Sequence, residues 1–287
     1  MYAAHFGLFE QPFNLTPDPD FVYVDQQHQA ALDTLTQALA LGEGFVKVTG
    51  EVGTGKTLLC RRLMAHLPAS VVTACIFNPR FDPAGLLREL AQELGQMPAD
   101  QDDEQALYGL IESALADLAA HGHRVVCCID EAHAMAPASL EALRLLSNIE
   151  TDKRKLMQIV LFGQPELDQL LSRPELRSLR SRLGGGVRLE GLPLADFRRY
   201  LKHRMSVAGW HGPRVFSEGA CWLLWRLSGG VPRQANALAH QCLVQASRRG
   251  THRVWFKDAL AVGLARWRLV GNPMRPNLAG VWQGDRT

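Results

Sequence analysis

Val46-Lys47-Val48-Thr49-Gly50-Glu51-Val52-Gly53-Thr54-Gly55-Lys56-Thr57 is the stretch on which the fold turns. An apolar run ends at Val48, residues 50–57 fit G-x-x-x-x-G-K-[ST] at every fixed position, and helical spacing begins at Leu58. Each residue type has a physical reason. Glycines let successive backbone N–H groups turn inward, and a new helix offers unpaired N–H donors and a positive dipole end to an anion. Gly50, Glu51, Val52, Gly53, Thr54, Gly55, Lys56, Thr57 and Leu58 are therefore expected to cradle the phosphates of a nucleotide. Lys56 is expected to reach the β- and γ-phosphates, and the Thr57 hydroxyl to ligate magnesium.

Downstream of the loop, apolar runs alternate with helical periods. Val71-Val72-Thr73-Ala74-Cys75-Ile76-Phe77 is short and β-branched and predicts a buried strand. Residues 83–94 have helical period, an acidic break covers 98–104, and a further helix runs to about Ala120. Val125-Val126-Cys127-Cys128-Ile129 predicts the next strand, with Asp130-Glu131 at its carboxyl end, the edge where a parallel sheet binds ligands. Apolar residues followed by Asp-Glu match the second motif of P-loop ATPases, with Asp130 holding magnesium and Glu131 polarising the attacking water. A helix is expected over 137–150 and a strand over 156–162, ending at Gly163-Gln164. Gln164 there either orients a water or is an ordinary turn amide. Arg173, Arg177, Arg180 and Arg182 then lead to Gly184-Gly185-Gly186, expected as a flexible or tight turn before a short strand at 187–189.

Residues 1–25 carry Phe6, Phe9, Phe13, Phe21 and Tyr23 among Pro12, Pro17 and Pro19, too dense in proline for a regular helix. An extended strap over the nucleotide site, pinned by its rings, is expected, and simple packing against the core explains the same residues. Helical spacing follows from His28 to Leu41. From Pro193 the pattern becomes all helical, at about 194–208, 217–228, 232–247 and 256–268. The expected organisation is a strap at 1–25, an α/β core at 26–191 with a parallel sheet flanked by helices, a small all-α lid at 192–270, and a mobile tail at 271–287 that includes Trp282.

At 287 residues and 47% hydrophobic, the chain can bury a full core. No run suits a bilayer span and the opening residues do not form a secretory signal, so a cytoplasmic protein is expected. The six cysteines are scattered without a C-x-x-C pair, which favours buried, reduced thiols and no metal site beyond the nucleotide's magnesium. The net charge of +2 conceals an asymmetry: residues 1–171 carry 11 Lys+Arg against 23 Asp+Glu, and residues 172–287 carry 20 against 6. A basic second half invites an anionic partner such as DNA, and solvated arginines on a helical domain account for it equally well.

Taken together, the opening Phe6-to-Tyr23 segment, GEVGTGKT (50–57), IDEAH (129–133), LRLLSNIETDKRKLMQIVLFGQPEL (143–167) and GVPRQANALAH (230–240) closely resemble the ExeA/GspA-type AAA+ ATPases of bacterial secretion and pilus assembly. Within that family the chain is similar to the branch serving mannose-sensitive haemagglutinin (MSHA) pilus biogenesis, and more distantly to TniB/TnsC-like transposition ATPases. The resemblance implies an AAA+ core and lid that bind and hydrolyse ATP with magnesium in a ring or other oligomer. It implies Gln164 as the first sensor and Arg233 as the second, with Asn78 as a switch partner of Glu131. The arginine finger would be Arg182 first and Arg180 second. A membrane-anchored pilus or secretion component would be the partner, holding the chain peripherally at the inner membrane, with DNA the alternative. Asp130-Glu131-Ala132-His133 is also a helicase tetrad, but one phosphate loop leaves no second motor domain, and His133 is expected only to open the loop before the helix at Pro137.

Overall fold

The computed structural model describes residues 2–14, 21–99, 103–151 and 154–270. The anticipated tail at 271–287 with Trp282, as well as Pro17 and Pro19, lies outside the described residues, as does part of the acidic break. The chain divides into two compact units, residues 26–189 and residues 1–25 with 190–287.

The first unit is a five-stranded sheet of β1 (Phe45–Gly50), β2 (Val71–Ile76), β3 (Arg124–Ile129), β6 (Met157–Gly163) and β7 (Leu183–Leu189), in the order β2-β3-β6-β1-β7. Every neighbouring pair is parallel. Such a sheet is covered on both faces, which is why its inner strands β3 and β6 are almost wholly apolar. Alternation sorts their side chains. Val125, Cys127 and Ile129 face α4 (Pro83–Glu93), α5 (Glu104–Ala120) and α6 (Pro137–Leu146), whereas Val126 and Cys128 face α2 (Gln26–Ala40) and α3 (Lys56–His66). One buried polar residue on this second face is satisfied: the Gln158 amide donates to the carbonyls of Leu39 (3.0 Å) and Glu43 (2.8 Å). The short helices α7 (Glu166–Leu171) and α8 (Arg177–Arg180) complete the first face. All six cysteines are free thiols, and five of them are buried.

Three details differ from the sequence reading. The helix from Pro137 stops at Leu146, and β4 (Glu150–Thr151) pairs antiparallel with β5 (Arg154–Lys155) in a small hairpin. The glycine triplet is not a turn. Gly184, Gly185 and Gly186 lie within β7, paired to β1 across a register shift between Phe45 and Lys47. The side chains of Glu43 and Lys47 occupy the space that a Cβ would need at Gly184 and Gly186. Glycine in a strand marks this kind of close approach.

The second unit contains α1 (Tyr2–Phe6), α9 (Leu194–Val207), α10 (Glu218–Ser228), α11 (Pro232–Arg248) and α12 (Phe256–Val270). Its core takes in Tyr2, Phe6, Leu8, Phe13 and Phe21, so the opening rings are core residues of the helical unit and not a domain of their own. Contrary to the expectation of wholly extended chain, residues 2–6 precede the prolines and form a short helix, while Phe9 is 87% exposed. Arg204 anchors the segment by donating to the carbonyls of Pro12 (2.5 Å) and Asn14 (3.2 Å). Among the described residues no helix is long and apolar enough to cross a membrane.

Candidate active site

The carboxyl ends of β1, β3 and β6 lie side by side, with Thr49 opposite Gly163 and Ile129 opposite Leu161. Their continuations therefore meet at one edge: residues 50–57, then Asp130-Glu131, then Gln164.

Backbone constraints shape the loop. Gly53 (φ 87°) and Gly55 (φ 98°) adopt left-handed angles that other residues avoid. A Cβ on Gly50 would stand 2.6 Å from the Leu189 carbonyl oxygen, and one on Gly55 would stand 2.5 Å from His28 Nε2. Helix α3 starts at Lys56 with Gly55 as its N-cap and no side-chain cap, leaving its first N–H groups for another acceptor.

Lys56 is buried, and its ammonium donates to the carbonyls of Gly50 (2.8 Å) and Glu51 (3.0 Å). Burial pushes its pKa below the ordinary value, while Glu131, Asp130, Glu51 and Glu166 oppose the shift. A partly desolvated cation held by weak acceptors suits a phosphate. Thr57 Oγ1 donates to Asp130 Oδ2 at 2.5 Å, and Asp130 Oδ1 accepts from the Glu131 N–H at 2.9 Å. This hydroxyl and carboxylate are hard oxygen donors of the kind magnesium takes, and two such ligands leave positions for phosphate and water. The residues fit the ion.

Glu131 has φ 53°, the one positive φ outside glycine among the described residues. Strain of this kind clusters at functional sites. Its Oε2 lies 3.5 Å from His133 Nε2 and accepts from the Gln164 amide at 3.5 Å. Asn78 is exposed just beyond β2, and among the described residues no hydrogen bond joins it to Glu131. The groups that do reach the carboxylate are Gln164 and His133, and His133 sits in the 3₁₀ turn Ala132–Ala134. The sequence reading overlooked this contact of His133. The available signal was its place two residues after Glu131, but the partner that makes it matter is 31 positions farther on.

Arg180 is exposed and donates to the Ser172 carbonyl at 3.3 Å, and Arg182 is half-buried just after α8. Arg233 belongs to the helical unit, exposed as the second residue of α11. The corner before it is fixed by backbone approach. Gly230 has φ 73°, its carbonyl accepts from Leu192 N–H at 2.9 Å, and a Cβ on it would stand 2.4 Å from the Leu192 oxygen.

Comparison with known proteins follows this geometry. The chain is 42% identical over 285 residues to general secretion pathway protein A of Aeromonas hydrophila, covering 99% of this chain and 50% of that protein. It thus spans about half the length of that relative, and the similarity bears out the resemblance to the ExeA/GspA-type family. Among solved structures, Cdc6p of Pyrobaculum aerophilum aligns with a TM-score of 0.64 at 17% identity, over 83% of this chain and 68% of that one. The Aeropyrum pernix ORC1 protein in complex with DNA aligns at 0.64 and 21%, over 91% and 70%. The Thermotoga maritima RuvB branch migration motor aligns at 0.52 and 19%, over 88% and 73%. At these identities the likeness is one of fold, a parallel sheet flanked by helices with a helical region after it. A family profile described as an AAA domain matches residues 18–171, and by that match over more than half its length this chain belongs to the AAA domain family.

Proposed function

We propose that the chain is an ATPase that binds and hydrolyses ATP with magnesium, as an oligomer, to drive or regulate assembly of type II secretion or type IV (MSHA-like) pilus machinery. The observation that carries the chemistry is the meeting of Lys56, Thr57, Asp130, Glu131 and Gln164 at one sheet edge, with Thr57 bonded to Asp130. Lys56 exchanges two loop carbonyls for phosphate oxygens. Glu131 accepts a proton from, or orients, the attacking water, and Gln164 holds that water or the terminal phosphate. Magnesium, when bound, neutralises phosphate charge. Arg233 serves as the second sensor. The secretion setting rests on the similarity to general secretion pathway protein A, with the partner a membrane-anchored component of such machinery.

A second reading, a TniB/TnsC-like regulator working on DNA, draws on Arg198, Arg199, Lys202 and Arg214 around a cavity of about 600 Å³ in the helical unit. Three of these cations are already paired, Arg198 and Arg214 with Glu218 and Arg199 with Asp196, which leaves less charge for phosphates. The secretion reading is therefore preferred.

The test is phosphate release from ATP with and without magnesium in the wild type, Lys56→Ala and Glu131→Gln. Turnover that needs magnesium and falls to background in both variants is expected, with Glu131→Gln still binding ATP. Equal turnover by Glu131→Gln rejects the reading. Nanomolar, ATP-dependent and salt-sensitive binding to arbitrary duplex DNA transfers preference to the DNA reading.

A further inference from the structure

The ring of His133 stands between the two groups assigned to the attacking water. Its Nδ1 accepts the Gln164 backbone N–H at 3.3 Å. In the neutral ring that bond leaves the proton on Nε2. Nε2 has one acceptor in reach, the Glu131 carboxylate at 3.5 Å, while the Gln164 side-chain nitrogen 3.0 Å away is itself a donor to the same carboxylate. The imidazole therefore bridges the end of β3 and the end of β6, by a hydrogen bond at Nδ1 and a 3.5 Å approach of Nε2 to the carboxylate.

The surroundings hold the ring in this position. Its side chain is 18% exposed against 47% for the Glu131 carboxylate. The backbone N of His133 lies 3.3 Å from where a Cβ on Gly163 would stand, so the absent side chain at the end of β6 lets the 3₁₀ turn approach. The carboxylate itself projects from a residue with left-handed backbone angles. A half-exposed carboxylate on a short strained turn needs a fixed donor if it is to keep one orientation, because holding a free side chain in one rotamer opposes entropy.

We propose that His133 is a positioning residue: keyed to the Gln164 backbone through Nδ1, it presents its Nε2 donor beside the Gln164 amide so that the two donors converge on the Glu131 carboxylate and hold its orientation. The inference rests on the proposed ATPase function. It concerns the orientation of the water-activating pair and not nucleotide affinity, since His133 contacts no residue of the phosphate loop among the described hydrogen bonds and ion pairs.

Two conservative replacements separate this role from a purely structural one. Glutamine can return a donor near the Nε2 position, whereas asparagine can return only an acceptor near Nδ1. Steady-state ATP hydrolysis with magnesium is measured for the full chain as wild type, His133→Ala, His133→Gln and His133→Asn, alongside thermal unfolding of each. His133→Ala is expected to lower kcat by about 10- to 100-fold with KM for ATP within about threefold. His133→Gln is expected to recover more of kcat than His133→Asn. Full activity in His133→Ala overturns the inference, as does asparagine recovering as much as glutamine or a loss confined to KM. If His133→Ala unfolds, the glutamine and asparagine variants still decide. An inactive wild type removes the ATPase reading itself, whereas an active wild type with an indifferent His133 removes only this inference.

Discussion

The hydroxyl of Thr57 and the carboxylate of Asp130 are joined by a 2.5 Å hydrogen bond, which links the last residue of the phosphate loop to the first residue beyond β3. Asp130 is 3% exposed, so this donor is one of few available to a buried charge. Thr57→Val keeps the shape and removes the donor. It should destabilise the protein by about 1.5–3 kcal/mol, the range for losing a hydrogen bond to a charged group. It should also abolish the magnesium-dependent part of ATP affinity, about tenfold, with little change in magnesium-free binding. Urea unfolding and titration with a fluorescent ATP analogue, with and without magnesium, check both. An undiminished magnesium effect in the variant contradicts the assignment of Thr57.

Gly55 and His28 form a steric pair. Alanine at 55 meets His28 Nε2 at 2.5 Å and must also adopt φ 98°. Gly55→Ala should therefore destabilise by about 2–3 kcal/mol, part from the left-handed backbone and part from the clash. Adding His28→Ala should relieve only the second part, giving a coupling energy of about 1 kcal/mol in a double-mutant cycle followed by urea unfolding. Strict additivity would show that the loop relaxes away from His28.

How much of this was legible in the sequence depends on where the deciding interaction lies. The meeting of residues 50–57 with the pair Asp130-Glu131 at one sheet edge could be read directly, because local types at fixed spacing follow apolar strands there. The strand through Gly184, Gly185 and Gly186 could not, because its pairing is dictated by β1 and by the side chains of Lys47 and Glu43 rather than by its own preference. The same holds for the opening rings, whose burial depends on helices of the same unit that lie beyond residue 190 in the chain. His133 and Asn78 illustrate the limit within the site. Sequence position put both near Glu131, and only the approach of β6 to the end of β3 selects His133.

Asp258 provides a pH test in the helical unit. Its Oδ1 pairs with Arg249 at 2.6 Å and its Oδ2 accepts from the Trp255 N–H at 2.8 Å, tying the end of α11 to the first turn of α12. Burial pushes the carboxyl pKa up, but the Arg249 and Trp255 bonds outweigh it and hold the pKa below the ordinary 3.8. A depressed folded-state pKa means that the unfolded chain takes up the proton first. The stabilisation is therefore present above about pH 4 and is lost as pH falls through the folded value. Asp258→Asn should destabilise by about 1–2 kcal/mol at pH 7, a modest figure because Arg249 is 40% exposed and screened by solvent. The gap from wild type, read by tryptophan fluorescence in urea, should be constant from pH 7 to 5 and narrow below pH 4. A gap that widens on acidification reverses the sign and rejects the argument.

Arg182 and Arg180 bear on assembly. Both follow Gln164 in the chain, at the end of α8 and before the edge strand β7, with Arg180 tethered to the Ser172 carbonyl and Arg182 half-buried. A guanidinium offered from an edge to a neighbouring copy would complete the charge stabilisation that one subunit lacks. Such fingers supply roughly 10³ to 10⁵ in rate. ATP turnover per subunit should therefore rise with protein concentration. Arg182→Ala should flatten that rise and lower the plateau by at least about 10²-fold while leaving ATP affinity within about threefold. Arg180→Ala should do the same only if the register of the finger is shifted by two residues. Mixing settles the direction of the contact: Glu131→Gln subunits retain the arginine and Arg182→Ala subunits retain the carboxylate, so a mixture of the two should recover activity that neither has alone. A mixture no more active than its parts, together with turnover independent of concentration, places the whole catalytic set within a single subunit.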